Sequence, residues 1–205
     1  MRDVNIIIDP LPTSITVGND EIDINTDFRY CIMFEQMLSD NTISESAKFE
    51  IMLELFFDNP NIEITDFKQL TEQIVWFYRC GKKMSKKEQA DAETERDREN
   101  GTAPPAIYDY DYDADLIFSA FMQQYRIDLN DAELHWWKFK SLFVGLDSET
   151  TFKQIVHIRS IKTSEIKDVK ERQRIQKLQA EHKIPVELTD EQKIAMAGNM
   201  FGGGF

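Results

Sequence analysis

The sequence predicts a mainly α-helical domain of about six to eight helices with a small N-terminal β-hairpin. Two patterns and a composition predict it. Apolar residues alternate with polar ones early in the chain and then recur at helical spacing. Of the 205 residues, 41% are hydrophobic and 11% aromatic, enough for one sizeable core or one domain with an arm.

The elements follow in order. Val4 to Ile8 is a β-branched run closed by Pro10 and Pro12, and it reads as strand. Ile15 and Val17, then Ile22 and Ile24, alternate with polar residues on either side of Gly18-Asn19-Asp20, a hairpin signal. After Asn25 the period becomes helical, with Cys31, Phe34 and Leu38 on one stripe. Ser44 caps a second helix carrying Ala47, Ile51 and Leu55, which Asn59-Pro60-Asn61 ends. Phe67, Leu70, Ile74, Phe77 and Gly81 form a third stripe.

From Ser85 to Asn100 there is no large apolar residue, and Pro104-Pro105 then breaks the chain. Residues 85–106 therefore read as an exposed charged insertion within a body spanning 1–162. Ala114, Ile117, Phe118, Phe121 and Tyr125 resume the helical stripe. Asn130 and Glu133 have capping-box spacing, which starts the next helix there. That helix carries two stripes, one of Trp136, Phe139, Phe143 and Leu146, the other of Leu134, Trp137 and Val144. It should sit at the centre of the core. Phe152, Ile155, Val156 and Arg159 mark another helix. Residues 164–182 form a charged helix, and Leu188 to Ala197 a short last one before the Gly-rich end.

Residues 163–205 read as a C-terminal helical arm with that tail. Ile166 and Ile175 are nine residues apart, as are Val169 and Leu178. Nine steps of about 100° place the later pair opposite the earlier one. The helix then either lies between two surfaces or offers one edge to a partner, so Ile166, Val169, Ile175 and Leu178 are the candidate partner-binding residues. A peripheral helix with two unremarkable apolar edges fits the same spacing.

Charge narrows the partners. The net charge is -13, and residues 1–80 alone hold 15 acidic against 5 basic side chains. Residues 108–149 hold 9 against 3, whereas residues 150–205 hold 7 against 10. An acidic body repels phosphates and anionic membranes, so neither nucleic acid nor membrane is expected as a partner. No apolar run approaches a membrane span, and the opening MRDVNIIIDP lacks a cleavage site, so no signal peptide is expected. Cys31 and Cys80 stand apart without a CxxC pair and read as buried free thiols.

No catalytic, cofactor or metal site is expected. The alternate aspartates from Asp109 to Asp115 fail both calcium-loop frames, because positions six and twelve are Ala114 and Ala120, or Leu116 and Met122. They read instead as acids at the start of the 114–126 helix, where its dipole favours them. His135, His157 and His182 lack metal-ligand spacing, and no phosphate loop or nucleophile elbow is present. Trp136-Trp137 reads as core rather than as a stacking platform. Arg29, Arg79 and Arg159 lie near apolar segments, as ion-pair partners or as contact points.

Five segments in order resemble the phage family named for gene product fifteen, found in siphophage tail modules. They are INTDFR (24–29), WFYRCGK (76–82), the stretch from Tyr108 to Leu129, LHWWKF (134–139) and IRSI (158–161). The resemblance covers roughly residues 1–182, interrupted at 85–106. It implies a non-enzymatic tail assembly chaperone that binds the tape measure protein in the host cell cytoplasm. The alternative is a structural virion component, a connector or completion subunit. Other tail proteins and further copies of the chain are also possible partners. The family brings no catalytic residues to carry over.

Overall fold

A computed structural model describes residues 4–40, 42–58, 66–82 and 106–185. The charged stretch 85–106, apart from Ala106, lies outside these residues, as do the expected helix at 188–197 and the Gly-rich end. Among the described residues there are one two-stranded hairpin and seven α-helices.

Strands β1 (Ser14–Val17) and β2 (Asp20–Asp23) pair antiparallel, with Ile15 opposite Ile22. Gly18 begins the two-residue connection at φ 64, a conformation that costs glycine nothing. Its N–H donates to Gln69 Oε1 at 2.7 Å, which fastens the hairpin tip to a helix. Ile15 and Val17 face inward and are buried.

The helices are α1 (Phe28–Ser39), α2 (Glu45–Phe56), α3 (Phe67–Tyr78), α4 (Ala114–Tyr125), α5 (Trp136–Val144), α6 (Thr151–Ser160) and α7 (Val169–Glu181). A single 3-10 turn, Thr163–Glu165, precedes α7. Side chains cap most of the N-termini, satisfying amides that have no helical acceptor. Asp27, Ser44, Asp66, Thr150 and Asp168 accept from the backbone of the first turn.

Helix α5 lies at the centre through Trp136, Trp137, Phe139 and Phe143, all buried. Phe139 is fully buried and stacks on Phe28 at 4.6 Å and on Phe121 at 5.2 Å, with Trp136 and Phe143 both at 5.8 Å. Aromatic side chains supply large buried area at fixed geometry, so this ladder ties α1, α4 and α5 into one core. Helix α7 packs on α6 at the edge. Ile175 is buried there, outside the main aromatic cluster.

The structure corrects four local readings. Residues Asn5 to Asp9 form a turn rather than a strand. Asn5 Oδ1 accepts from Ile7 N–H at 3.0 Å, and Asp9 Oδ2 accepts from Asn5 N–H at 2.8 Å. These side chains offer the backbone a local alternative to a sheet ladder, and Ile7 is left 86% exposed. Helix α5 begins at Trp136, not after Asn130. Asp128 takes Asn130 into a tight turn, and Arg29 holds the carbonyls of Leu129, Asn130 and Ala132, so the chain cannot coil there. On α1 the inward position after Phe34 is Met37, and Leu38 faces out. Phe67 and Val144 end their stripes in solvent.

Candidate functional site

The five familiar segments converge on one another. INTDFR and LHWWKF are joined by an antiparallel bridge between Asp27 and His135. Phe28 N–H donates to Leu134 O at 3.0 Å, and Trp136 N–H donates to Thr26 O at 2.7 Å. Arg29 pairs with Asp27 at 2.8 Å while its other nitrogen reaches the three carbonyls of the 129–132 turn. Arg29 is thus an internal fastener.

WFYRCGK supplies the end of α3, where backbone carbonyls lack helical donors. The two tryptophans provide donors. Trp136 Nε1–H donates to Tyr78 O at 2.7 Å, and Trp137 Nε1–H donates to Phe77 O at 2.8 Å. The chain then reverses through Cys80 (φ 56) and Gly81 (φ 72). A Cβ on Gly81 would stand 2.9 Å from Trp137 Cη2, so only glycine fits under that ring. Both tryptophans are buried and neither offers a stacking face.

His135 completes this hub. Its Nδ1 accepts from Trp137 N–H at 3.1 Å, and its Nε2 lies 2.9 Å from Pro12 O. Those partners require the neutral ring with the proton on Nε2. Burial lowers its pKa below the ordinary value, outweighing the bond to Pro12.

Asp113 and Arg159 form a second hub. The guanidinium donates to both carboxylate oxygens, at 2.6 and 3.0 Å, with Asp113 fully buried and the Arg159 side chain 6% exposed. Arg159 also donates to His182 O at 2.6 Å and to Ile107 O at 3.2 Å. Asp113 precedes α4 but makes no side-chain cap, so its charge serves Arg159 rather than the helix end. Asp109 accepts from the amides of Asp111 and Tyr112, and Asp115 lies in the first turn of α4. Among the described residues no three His, Cys, Asp or Glu side chains are grouped to hold a metal ion.

A polar cluster escaped the sequence reading. Glu35 Oε2 accepts from Tyr78 OH at 2.5 Å, and Oε1 accepts from Tyr108 OH at 3.2 Å. Lys140 Nζ lies 3.7 Å from Glu35 and 5.1 Å from the Trp136 ring centroid. Burial, with Glu35 beside it, pushes the Tyr108 phenol up to about 12, and Tyr78 and Tyr110 rise further. These phenols stay protonated, and Tyr78 and Tyr108 act as donors that bind α1 to α3 and to the segment before α4. The one sequence signal was Glu35 itself, four residues after Cys31 on the apolar side of α1. Burial also raises both thiols, Cys80 to about 11, so neither is a thiolate nucleophile at neutral pH.

Among the outward features, two bear on the expected partner contacts. One is an open groove of about 480 Å³ between α1 and α4. Phe28, Ile117 and Phe139 floor it, and Ile32, Phe118 and Leu129 form half-buried walls. The other is α7. Ile166 lies before this helix and is half-buried, Val169 is 54% exposed, Ile175 is buried and Leu178 is half-buried. The four residues are therefore not on one helix. Val169 presents an open apolar surface, whereas Ile175 is covered.

No curated protein and no solved structure matches the chain. No helix among the described residues is long and apolar enough to cross a membrane. A family model described as Bacteriophage Gp15 protein matches residues 7–184, which include all five converging segments, so the chain belongs to this bacteriophage family.

Proposed function

We propose that this phage protein is a non-enzymatic, tail assembly chaperone-like protein that binds the tape measure protein in the host cytoplasm. The observation that carries this reading is the fate of the family segments. Trp136, Trp137, Phe28, Gly81, Arg29 and Arg159 are taken up in packing and fastening within the fold. They build the fold, and the α1–α4 groove and the exposed Val169 of α7 are left as apolar surface that a protein partner could cover. The acid excess of the body favours a basic or amphipathic protein partner over nucleic acid or an anionic membrane. Contacts with further copies are compatible with the same surfaces.

Co-expression with the tape measure protein, followed by affinity purification, tests the reading. A stoichiometric complex that is missing from finished virions is the expected result. Presence in purified virions at fixed copy number would instead make the protein a connector or completion subunit. Failure to retain the tape measure protein would overturn the proposal.

A further inference from the structure

We infer that the α1–α4 groove receives the apolar face of a basic amphipathic helix from a partner protein. This rests on the protein-binding role above and names the surface and the chemistry of its partner. The groove, of about 480 Å³, is open and mostly apolar, with an aromatic floor of Phe28 and Phe139 and walls of Ile32, Phe118 and Leu129. Such a trough fits side chains recurring at i, i+3, i+4 and i+7 on one helix face.

Charge decides the rest. Asp115 lines the groove and is exposed; Asp111 and Asp131, each one residue along the chain from the lining residues Tyr110 and Asn130, are exposed as well. The segment 108–149 that builds one side carries 9 acidic and 3 basic side chains. The cation on the lip, Arg29, is already engaged by Asp27 and by the three carbonyls of the 129–132 turn. A helix whose apolar stripe is flanked by lysine or arginine therefore matches both the trough and its rim. An acidic amphipathic helix matches only the trough and meets repulsion at the rim.

Three fluorescent peptides of about 18 residues, five helical turns, provide the test. One is an amphipathic Leu/Lys helix. The second is a Leu/Lys scramble of the same composition without a continuous apolar face. The third is a Leu/Glu helix with the same apolar face. Binding to the full chain is read by fluorescence anisotropy. The Leu/Lys helix should bind at least about tenfold tighter than either control, and more weakly at high salt. Phe118→Glu, which puts charge into the wall, should weaken it about tenfold or more. Ala114→Phe, a filling substitution at an exposed lip position, keeps the test decisive if the first variant fails to fold.

Equal binding of the scramble, or wild-type binding by both folded variants, overturns the inference. So does self-association of the free chain, read by light scattering, that Phe118→Glu abolishes. The two proposals fail separately. If wild type and Phe118→Glu both retain the tape measure protein, the groove assignment is wrong and the chaperone reading stands. If the Leu/Lys helix binds selectively but no tape measure complex forms, the groove stands and the chaperone reading falls.

Discussion

Removing one half of the Asp113–Arg159 pair should cost more than any single surface change. Asp113 is fully buried and accepts three hydrogen bonds, two from Arg159 and one from Asp109 N–H at 3.1 Å. Asp113→Ala leaves a nearly buried guanidinium without its anion, held by the carbonyls of Ile107 and His182 and the Tyr112 ring. An uncompensated buried charge of this kind costs about 3–5 kcal/mol. For a domain of this size that corresponds to a fall in Tm of roughly 6–20 °C. Arg159→Met should cost a similar amount, because it strands the carboxylate. The double variant should lose less than the two single losses together, with a coupling of roughly 1–3 kcal/mol. Thermal and urea unfolding followed by circular dichroism measure all four proteins. Hydrogen exchange should quicken first in 106–113 and at the end of α7, the segments Arg159 joins. A Tm within about 2 °C of wild type for Asp113→Ala, or full additivity in the cycle, would refute the reasoning.

Three further outcomes follow from the geometry. Gly81→Ala combines a left-handed backbone with a Cβ 2.9 Å from Trp137, and should destabilise the fold by about 2–5 kcal/mol in urea titration; an unchanged midpoint would sink the close-packing claim. Arg126 ends α4 at φ 59, so Arg126→Gly should stabilise by about 0.5–1 kcal/mol, the relieved strain exceeding the entropy gained by the unfolded chain; a lower Tm would contradict it. Burial depresses the His135 pKa in the folded state, so between the folded and unfolded values the unfolded chain holds the extra proton. Stability should be fully present above about pH 6.5 and decline as pH falls below it, with loss of the bond to Trp137 N–H. An NMR titration of the ring that comes out above 6.5 would reverse that sign.

Local chemistry made most of the secondary structure legible. Ser44 caps α2 where the sequence placed it, and the stripes of α3, α4 and α6 each hold buried residues at their centre, Leu70, Ile74 and Phe77, then Ile117 and Phe121, then Phe152 and Ile155, while Phe67 and Ala114 at their ends are exposed. The stripe of Trp136, Phe139 and Phe143 on α5 located the centre of the core, whereas of the second stripe only Trp137 is buried on the helix, Leu134 preceding it and Val144 facing solvent. What failed depended on partners distant in the chain. Nothing near Asn130 shows that Arg29, about a hundred residues earlier, would seize the carbonyls of that turn. Nothing near Asp113 distinguishes a helix-end acid from one buried against Arg159. The Ile6–Ile8 run has strand propensity, but Asn5 and Asp9 close it into a turn. The groove was legible only through its acidic segment, since its walls come from α1 and α4, which the sequence does not place side by side.

The bridge between Asp27 and His135 also orders events in time. Synthesis delivers residues 24–29 long before the 129–137 segment that receives them, a separation of 100 residues between Arg29 and Leu129. At ribosomal speeds that interval is roughly 5–20 s. Throughout it Phe28 has no Phe139 to stack on, and the carbonyls of Phe77 and Tyr78 have no tryptophan donors. The nascent N-terminal part therefore stays unlatched until LHWWKF leaves the exit tunnel. The latch closes a long loop, whose entropic cost has to be met before its contacts stabilise the fold.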